Sequence, residues 1–598
     1  MAEDIYDPLN EYVQTFRPRF RQVAEETFAK LAAEANVDVD ANRETCRNIY
    51  ATERALSSVK SRISRWTVLC VLLWLCLLGG AAVGVVTGMN HDYQTVAIAA
   101  SVAVVGGAVL FAKVHPKLKS LKTERGELEA KEKELKDQAW QQMEPLNCLY
   151  DWDILTRMMT KTVPRLEFDP YFTTQRLADL KAVYHWDDSF NADRSVIYSH
   201  SGLINGNPFV LCRTRKMEWG TMTYYGSKTI YWTTRERGSD GKYRTMHHSE
   251  TLTASVTEPY PNYYEATRLI YGNTAAPDLT FYRQQSGLAG KEDSWSFKRK
   301  RRSLRKKARD LDNADFAMLT NEDFEVAFNT SNRNNNQQFA LLFTPLAQQS
   351  MLSLLKDKEA GYGDDFDFDK DRMINTIIPQ HLQTLNLDMN PGRYRNFDFD
   401  NAKEDFYAIN AECFRSIYFA LAPLLCIPMY QQIRPQHDIY GRDMERHSSF
   451  WEHEALANFW GQDHFKAPNC VTDCILKTEQ KQQRGDSSTI TVRAYGYRSV
   501  RRLTYVDKYG GDGRWHKVPV YWDEYLPVTG TGYMYIKEDN DAMYNAPSSA
   551  AEPSVAENTS KANTASGEIT QHQRLAHIQK VLSESGLRFY RRHIASRV

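Results

Sequence analysis

The stretch RHSSFWEHEALANFWGQDHFKAPNCVTDC carries the chain's best set of metal-binding side chains: His447, His453, Glu454, His464, Cys470 and Cys474. Zinc takes imidazole nitrogen and thiolate sulfur in sets of four, and Cys470 and Cys474 stand at C-x3-C spacing. The histidines do not follow a zinc-finger spacing, and His453-Glu454 lacks the second histidine of an HExxH helix. A zinc centre on His447, His453, His464, Cys470 and Cys474 is one expectation. Surface histidines and reduced, buried cysteines are the other.

A second set is Asp512, His516 and Asp523 beside the GGDG turn. Aspartate next to a glycine turn ordinarily serves the turn, so no catalytic residue is assigned there. A third is YGDDFDFDKDRM, echoed by YRNFDFDNAKEDF. In a strand, Asp365, Asp367, Asp369 and Asp371 share one face, with Phe366 and Phe368 on the other. Clustered carboxylates suit a hard cation, but no EF-hand glycine is present, so a solvated acidic face is expected. The repeat suggests two similar strands.

The strongest charge signal is FKRKRRSLRKKAR. Its cations are Lys298, Arg299, Lys300, Arg301, Arg302, Arg305, Lys306, Lys307 and Arg309, in a chain of net charge zero. Its candidate partners, in order, are an anionic membrane surface, an acidic surface of the same chain such as the FDFD strands, and nucleic acid.

These residues need elements to hold them. At 598 residues the chain is too long for one core. Nine scattered cysteines do not form a secreted disulfide framework. No apolar h-region lies in the first 30 residues, so no cleavable signal peptide is expected. Thr67–Met89 and Tyr93–Ala112 are uncharged runs of about the 20 residues that a bilayer requires. Lys60, Arg62 and Arg65 precede them, and Lys113, Lys117, Lys119, Lys122 and Arg125 follow. The positive-inside rule then places both termini in the cytoplasm. Gly80, Gly84 and Gly88, and Ala99, Ala103 and Gly107, give small faces for helix packing, within the hairpin or between two copies.

Residues 1–66 read as helical and 115–148 as a charged stalk helix. From about residue 149, β-branched and aromatic runs broken by Gly, Asn and Pro read as antiparallel hairpins. FAMLTNEDFEVAFNTSNRNNNQQFALLFTPLAQQSMLSLLKD reads as strand, loop and strand, with a helix from Pro345. SIYFALAPLLCIPMY suits a buried core element. Residues 431–540 read as a β-rich domain, 541–569 as a linker and 570–598 as an amphipathic basic helix.

HSGLINGNPFVL, NEDFEVAFNT and FALLFTPLAQQSMLSLL together resemble an uncharacterised bacterial family. Its members have a membrane hairpin near the N-terminus and a cytoplasmic α+β domain of unknown function. The likeness covers about residues 110–360. It rests on Gly206 and Pro208 before a strand, Phe324 and Phe328 in another, and Thr344 and Pro345 opening a helix. It implies topology and bacterial origin, and no activity.

The expected fold is therefore α+β: a two-helix transmembrane hairpin at 67–114 with its stalk, then mixed antiparallel cytoplasmic domains at 149–430 and 431–540. The basic insert is 298–309. The expected function is a membrane-anchored cytoplasmic interaction or scaffold protein, multi-pass in the inner membrane. It would touch anionic lipid and a protein partner, with the small-residue faces packing within the hairpin or, as the alternative, between two copies in a homodimer. The alternatives are a zinc-dependent enzyme or zinc-stabilised domain at 447–474, and nucleic-acid binding through 298–309, which has no recognised binding motif beside it.

Overall fold

The computed structural model describes residues 4–89, 104–105, 107–108, 110–237, 242–309, 316–435, 447–484, 487–538, 574–581 and 587–590. The chain divides into two compact units. The larger comprises residues 1–23, 151–390 and 410–598, and the smaller residues 24–150 and 391–409.

In the smaller unit, the helix Val39–Met89 runs antiparallel to the helix His115–Leu149. The direction is set by Glu53 with Lys136, Lys60 with Glu129 and Arg62 with Glu124. Cys46, Ile49, Leu56 and Val59 are buried at helical spacing, as are Leu118, Leu121, Ala139, Met143 and Leu146. Residues 391–409 close this unit. Asn42 donates to Phe397 O and accepts from Phe399 N, and Arg43 binds both oxygens of Asp400.

Among the described residues, no helix is long and apolar enough to cross a membrane. This corrects the two-span hairpin and the multi-pass inner-membrane location. Thr67–Met89 is the last part of a 51-residue helix whose earlier turns are polar and ion-paired. Most of the second run lies outside the described residues. Gly80, Gly84 and Gly88 continue that long helix, Gly107 is helical, and Ala99 and Ala103 lie outside the described residues. Their expected role in lipid falls with the spans.

The larger unit is α+β. Its first sheet contains β1 (Leu166–Phe168), β2 (Arg194–Ile204), β3 (Asn207–Arg237), β4 (Tyr243–Gly272), β5 (Thr280–Arg283), β6 (Phe366–Asp371) and β7 (Ile374–Pro379). The strand order is β1-β2-β3-β4-β7-β6-β5. The second contains β8 (Ile475–Arg484), β9 (Ser487–Tyr509), β10 (Trp515–Glu538), β11 (Arg574–Val581) and β12 (Leu587–Tyr590), ordered β12-β11-β10-β9-β8. All the pairings are antiparallel. Asn205-Gly206, both at positive φ, supplies the two-residue turn between β2 and β3.

β3 with β4, and β9 with β10, are long hairpins whose outer parts lie on each other. Ile230, Leu252, Ala254, Val518 and Val520 form the shared core. A Cβ at Gly226 would stand 2.0 Å from Pro519 O, so only glycine allows this approach. The two hairpins thus make a two-layered β-arm.

Four expected elements differ. NEDFEVAF is the helix Glu322–Phe328, and NQQFALL is the helix Asn336–Leu342. Asn321 accepts from Phe324 N and Asn335 from Gln337 N and Gln338 N, so asparagine caps override aromatic strand propensity. The second FDFD is not a strand: Asp398 accepts from Asp400 N and Asn401 N ahead of the helix Phe399–Leu425. Arg574–Val581 is a strand rather than a helix. It pairs with residues 533–538 of β10, whose edge would otherwise leave its N–H and C=O groups open.

Lys370 on β6 is almost fully buried. It donates to Ala275 O and Arg372 O and lies over the Tyr430 ring. Burial lowers its pKa to about 7, from 10.5. The folded protein pays for a buried ammonium below that pH, while the unfolded chain keeps its proton up to about 10.5. Between these values the unfolded chain binds more protons, so this group makes stability rise with pH. Urea unfolding should show a midpoint that gains on Lys370→Met between pH 7 and 9. Parallel midpoints for the two proteins would refute the assignment.

Candidate functional site

The sequence segment richest in chemistry is built around the helix Phe450–Trp460, which packs against β2 of the first sheet and β8 of the second. Glu454 is fully buried. Its carboxylate accepts from Val196 N and from Asn191 Nδ2, and lies 2.7 Å from Lys477 Nζ on β8. Lys477 also donates to Asn191 O and Arg194 O. Burial raises the Glu454 pKa, and Lys477 opposes the shift. One turn on, Asn458 Nδ2 donates to Ser195 Oγ and Val196 O. Two residues before Glu454, and so on the opposite side of the helix, Glu452 accepts from Phe172 N and Ser199 Oγ.

The zinc candidates are dispersed over this frame. His453 Nε2 is 3.0 Å from Ser448 Oγ, both buried. Gln483 donates to the His447 ring. His464 lies in the turn Gln462–His464. Cys470 and Cys474 do come together, with sulfurs 3.6 Å apart. Among the described residues, no three or more His, Cys, Asp or Glu are grouped to hold a metal ion. Ser448 and His453 line a small cavity with Leu177, Lys181 and Gln480. A hydroxyl–imidazole contact is one element of an activated nucleophile. Here the Ser448 backbone bridges to Thr173, which ties it into the fold.

A cleft on the other side of the helix is lined by Asp153, Asp169, His200, Asp388, Glu452 and Phe459, among others. Two of its carboxylates hold the fold together. Arg176 binds both oxygens of Asp169, Ser201 Oγ donates to it, and Glu452 is engaged as above. His200 Nε2 lies 2.7 Å from Leu387 O, and burial lowers its pKa, favouring neutral imidazole. The segments 152–171, 197–200 and 388–389, all distant from the helix in sequence, form this cleft with it, and no local motif announces it. Asp512 and His516 meet across the β9–β10 turn, 2.9 Å apart, as expected of turn chemistry. Asp523 instead accepts from Ser499 Oγ.

The basic block is the helix Trp295–Arg309. Phe297 and Leu304 are buried under it. Arg301 pairs with Asp323 and Arg305 with Glu322, and Lys307 donates to Ser331 O. Lys298 lies 4.0 Å from Asp293, and Arg299 lies over Trp295. Lys300 is half-buried, while Arg302, Lys306 and Arg309 are exposed. Its acidic partners are thus the first turn of the helix Glu322–Phe328, and not the FDFD strands. Of those, β6 does carry Phe366, Phe368 and Lys370 on its buried face.

The arm offers two outer faces of different chemistry. On β3 and β4 the face is hydroxyl-rich: Thr223 meets Thr257 and Thr229 meets Thr251, with Tyr225 and Tyr231 both 78% exposed. On β9 and β10 it is aromatic, with Tyr505, Tyr509, Trp515 and Tyr521 all more than half exposed. Trp515 stands edge-on to Tyr509, and Arg501 lies over Tyr521. Lys517 stands opposite Asp507 and Asp523 opposite Arg501. That these residues lie on strands was expected from the β-rich reading of 431–540. Which side would stay uncovered depended on the second hairpin.

Compared with known proteins, the chain matches no family model, no curated protein and no solved structure.

Removing one partner of the buried pair should cost far more than removing both. Lys477→Met leaves an uncompensated carboxylate and should cost about 3–5 kcal/mol. Glu454→Gln combined with Lys477→Met should recover part of that loss. Denaturant titration of the two variants checks this, and equal losses would show that the charges are not coupled.

Proposed function

We propose that the chain is an interaction or scaffold protein that binds a protein partner through the aromatic face of the β-arm. The carrying observation is Tyr505, Tyr509, Trp515 and Tyr521 held in solvent on rigid paired strands. Tyrosine and tryptophan, with arginine, dominate the energetics of protein interfaces. The charges on this face stand opposite one another in pairs, which suits a protein surface better than a polyanion. The likeness of residues 110–360 to an uncharacterised bacterial family stays a proposal and brings no activity. The zinc-enzyme alternative has less support, because three histidines stand apart from the two cysteines.

The test is a full-length variant with Tyr505→Ser, Tyr509→Ser, Trp515→Ser and Tyr521→Ser. Its melting temperature should stay within a few degrees of wild type, since these side chains lie outside the arm's core. Proteins that the wild-type chain recovers from its host's extract should bind the variant at least tenfold more weakly in titration. Recovery of the same proteins in equal yield by both chains would sink this reading.

The helix Trp295–Arg309 favours a second reading, binding of a phosphate polyanion. Lys298, Arg302, Lys306 and Arg309 share the helix face opposite Phe297 and Leu304. Contacts of this kind are salt-dependent. Filter retention of single-stranded RNA should fall steeply with salt. The slope should drop by about one for each cation removed in Arg302→Ala, Lys306→Ala and Arg309→Ala. Retention that does not respond to salt would end the idea.

A further inference from the structure

We propose that Cys470 and Cys474 close into a reversible disulfide when the protein meets a two-electron oxidant of the hydroperoxide class. The proposal is independent of the interaction reading. Both cysteines are free thiols, and their sulfurs stand 3.6 Å apart. A disulfide needs about 2.05 Å, so closure requires a movement of only about 1.5 Å.

The fold holds the two sulfurs together. Val471 N donates to Tyr497 O, and Tyr497 N donates to Thr472 Oγ1, which pins the loop between the cysteines on β9. Gln462 accepts from Cys474 N and donates to Asp473 Oδ1, which fixes the other edge. Beneath the pair lies Gly496. A Cβ there would stand 2.5 Å from Cys470 Sγ and 2.8 Å from Cys474 Sγ. A side chain at this position would drive the sulfurs out of their seat, so the glycine makes the room in which they meet. Two more glycines on β10 extend the same seat, Gly530 under the Phe465 and Lys466 backbone and Gly532 under the Phe465 ring.

The two thiols differ in access. Cys470 keeps 7% exposure and Cys474 none. The Cys470 thiolate therefore meets the oxidant, attacking one peroxide oxygen. The O–O bond breaks, Cys470 becomes a sulfenic acid, and the hydroxide released takes up the proton that the thiol had lost. Cys474 then attacks the Cys470 sulfur. The S–S bond forms, the S–O bond breaks, and the departing hydroxide leaves as water with the Cys474 proton. Two thiols lose two electrons, and hydrogen peroxide becomes two waters. Burial and the neighbouring Cys470 raise the Cys474 thiol to about 12. Ring closure is then the slow step, because the attacking species is the thiolate.

One tryptic peptide, APNCVTDCILK, holds both cysteines. Full-length protein treated with hydrogen peroxide, quenched, denatured and alkylated should yield this peptide two hydrogens lighter and unalkylated. A phosphine reductant should restore two alkylatable thiols. Gly496→Ala should lower the disulfide yield several-fold at the same peroxide dose. Cys474→Ser should leave a Cys470 sulfenic acid that dimedone traps. The proposal is overturned if both cysteines alkylate after peroxide as fully as before it. It is equally overturned if Cys470 passes to sulfinic acid with no disulfide, or if zinc ion alone binds stoichiometrically and shields both thiols, which would make the pair a metal site.

Discussion

The pairing of Glu454 with Lys477 is the contact on which the larger unit turns. The helix Phe450–Trp460 has no solvent side in the ordinary sense. Trp451 and Ala455 belong to the core beneath the first sheet, and Leu456, Ala457 and Trp460 to the core of the second. A helix apolar on both flanks can rotate or slide at little hydrophobic cost. The buried carboxylate removes that freedom. It must find Val196 N, Asn191 and Lys477 together, and only one orientation of helix, β2 and β8 provides all three. The pair is poorly explained as a source of stability, because desolvation offsets most of its attraction. It is better explained as what joins the two sheets in one register.

From that joint the strands run outward into the arm, where a different constraint applies. A lone two-stranded hairpin is marginal in water. Each of these hairpins has only a narrow apolar inner face, and each covers the other's. The approach is close enough that Gly226 lies against Pro519 O. The outer faces are therefore relieved of any part in folding. Tyr225 and Tyr231 on one side, and Tyr505 and Trp515 on the other, have large apolar area and no core to fill. That separation of folding face from free face is what gives the arm its standing as a binding element.

Much of the fold was legible in the sequence, at the scale of single elements. The β-branched and aromatic runs after residue 190 read as strands, Gly206 as lying before a strand and Thr344-Pro345 as a helix start, and all three hold. What failed has particular causes. The two FDFD motifs have the same letters and opposite fates. In one, a neighbouring strand receives the backbone of Phe366–Asp371; in the other, Asp398 caps a helix. Asn321 and Asn335 were the cap signals for two helices that aromatic content disguised as strands. The apolar run from Thr67 was read on composition. Its place at the end of a long ion-paired helix is a property of the partner helix, which no window of residues contains. Of the candidate sites, the cysteine pair was legible from spacing, while the cleft and the uncovered arm face exist only after distant strands meet.

The basic block shows how a single helix can answer two demands with one composition. Its twelve-residue run looks uniform in sequence, but a period of 3.6 divides it. Phe297 and Leu304 turn inward, and Arg301 and Arg305, flanking them, reach Asp323 and Glu322 at the start of the helix Glu322–Phe328. Those acids also sit where the helix dipole favours negative charge, so the pairing orders both helices. Exposed pairs of this kind contribute at most about 1 kcal/mol each, and the two buried apolar side chains do most of the docking. The cations that remain, Arg302, Lys306 and Arg309, do none of it. Because burial of Phe297 and Leu304 already accounts for the helix's position, the outer cations are surplus to folding, in the same way as the outer aromatics of the arm.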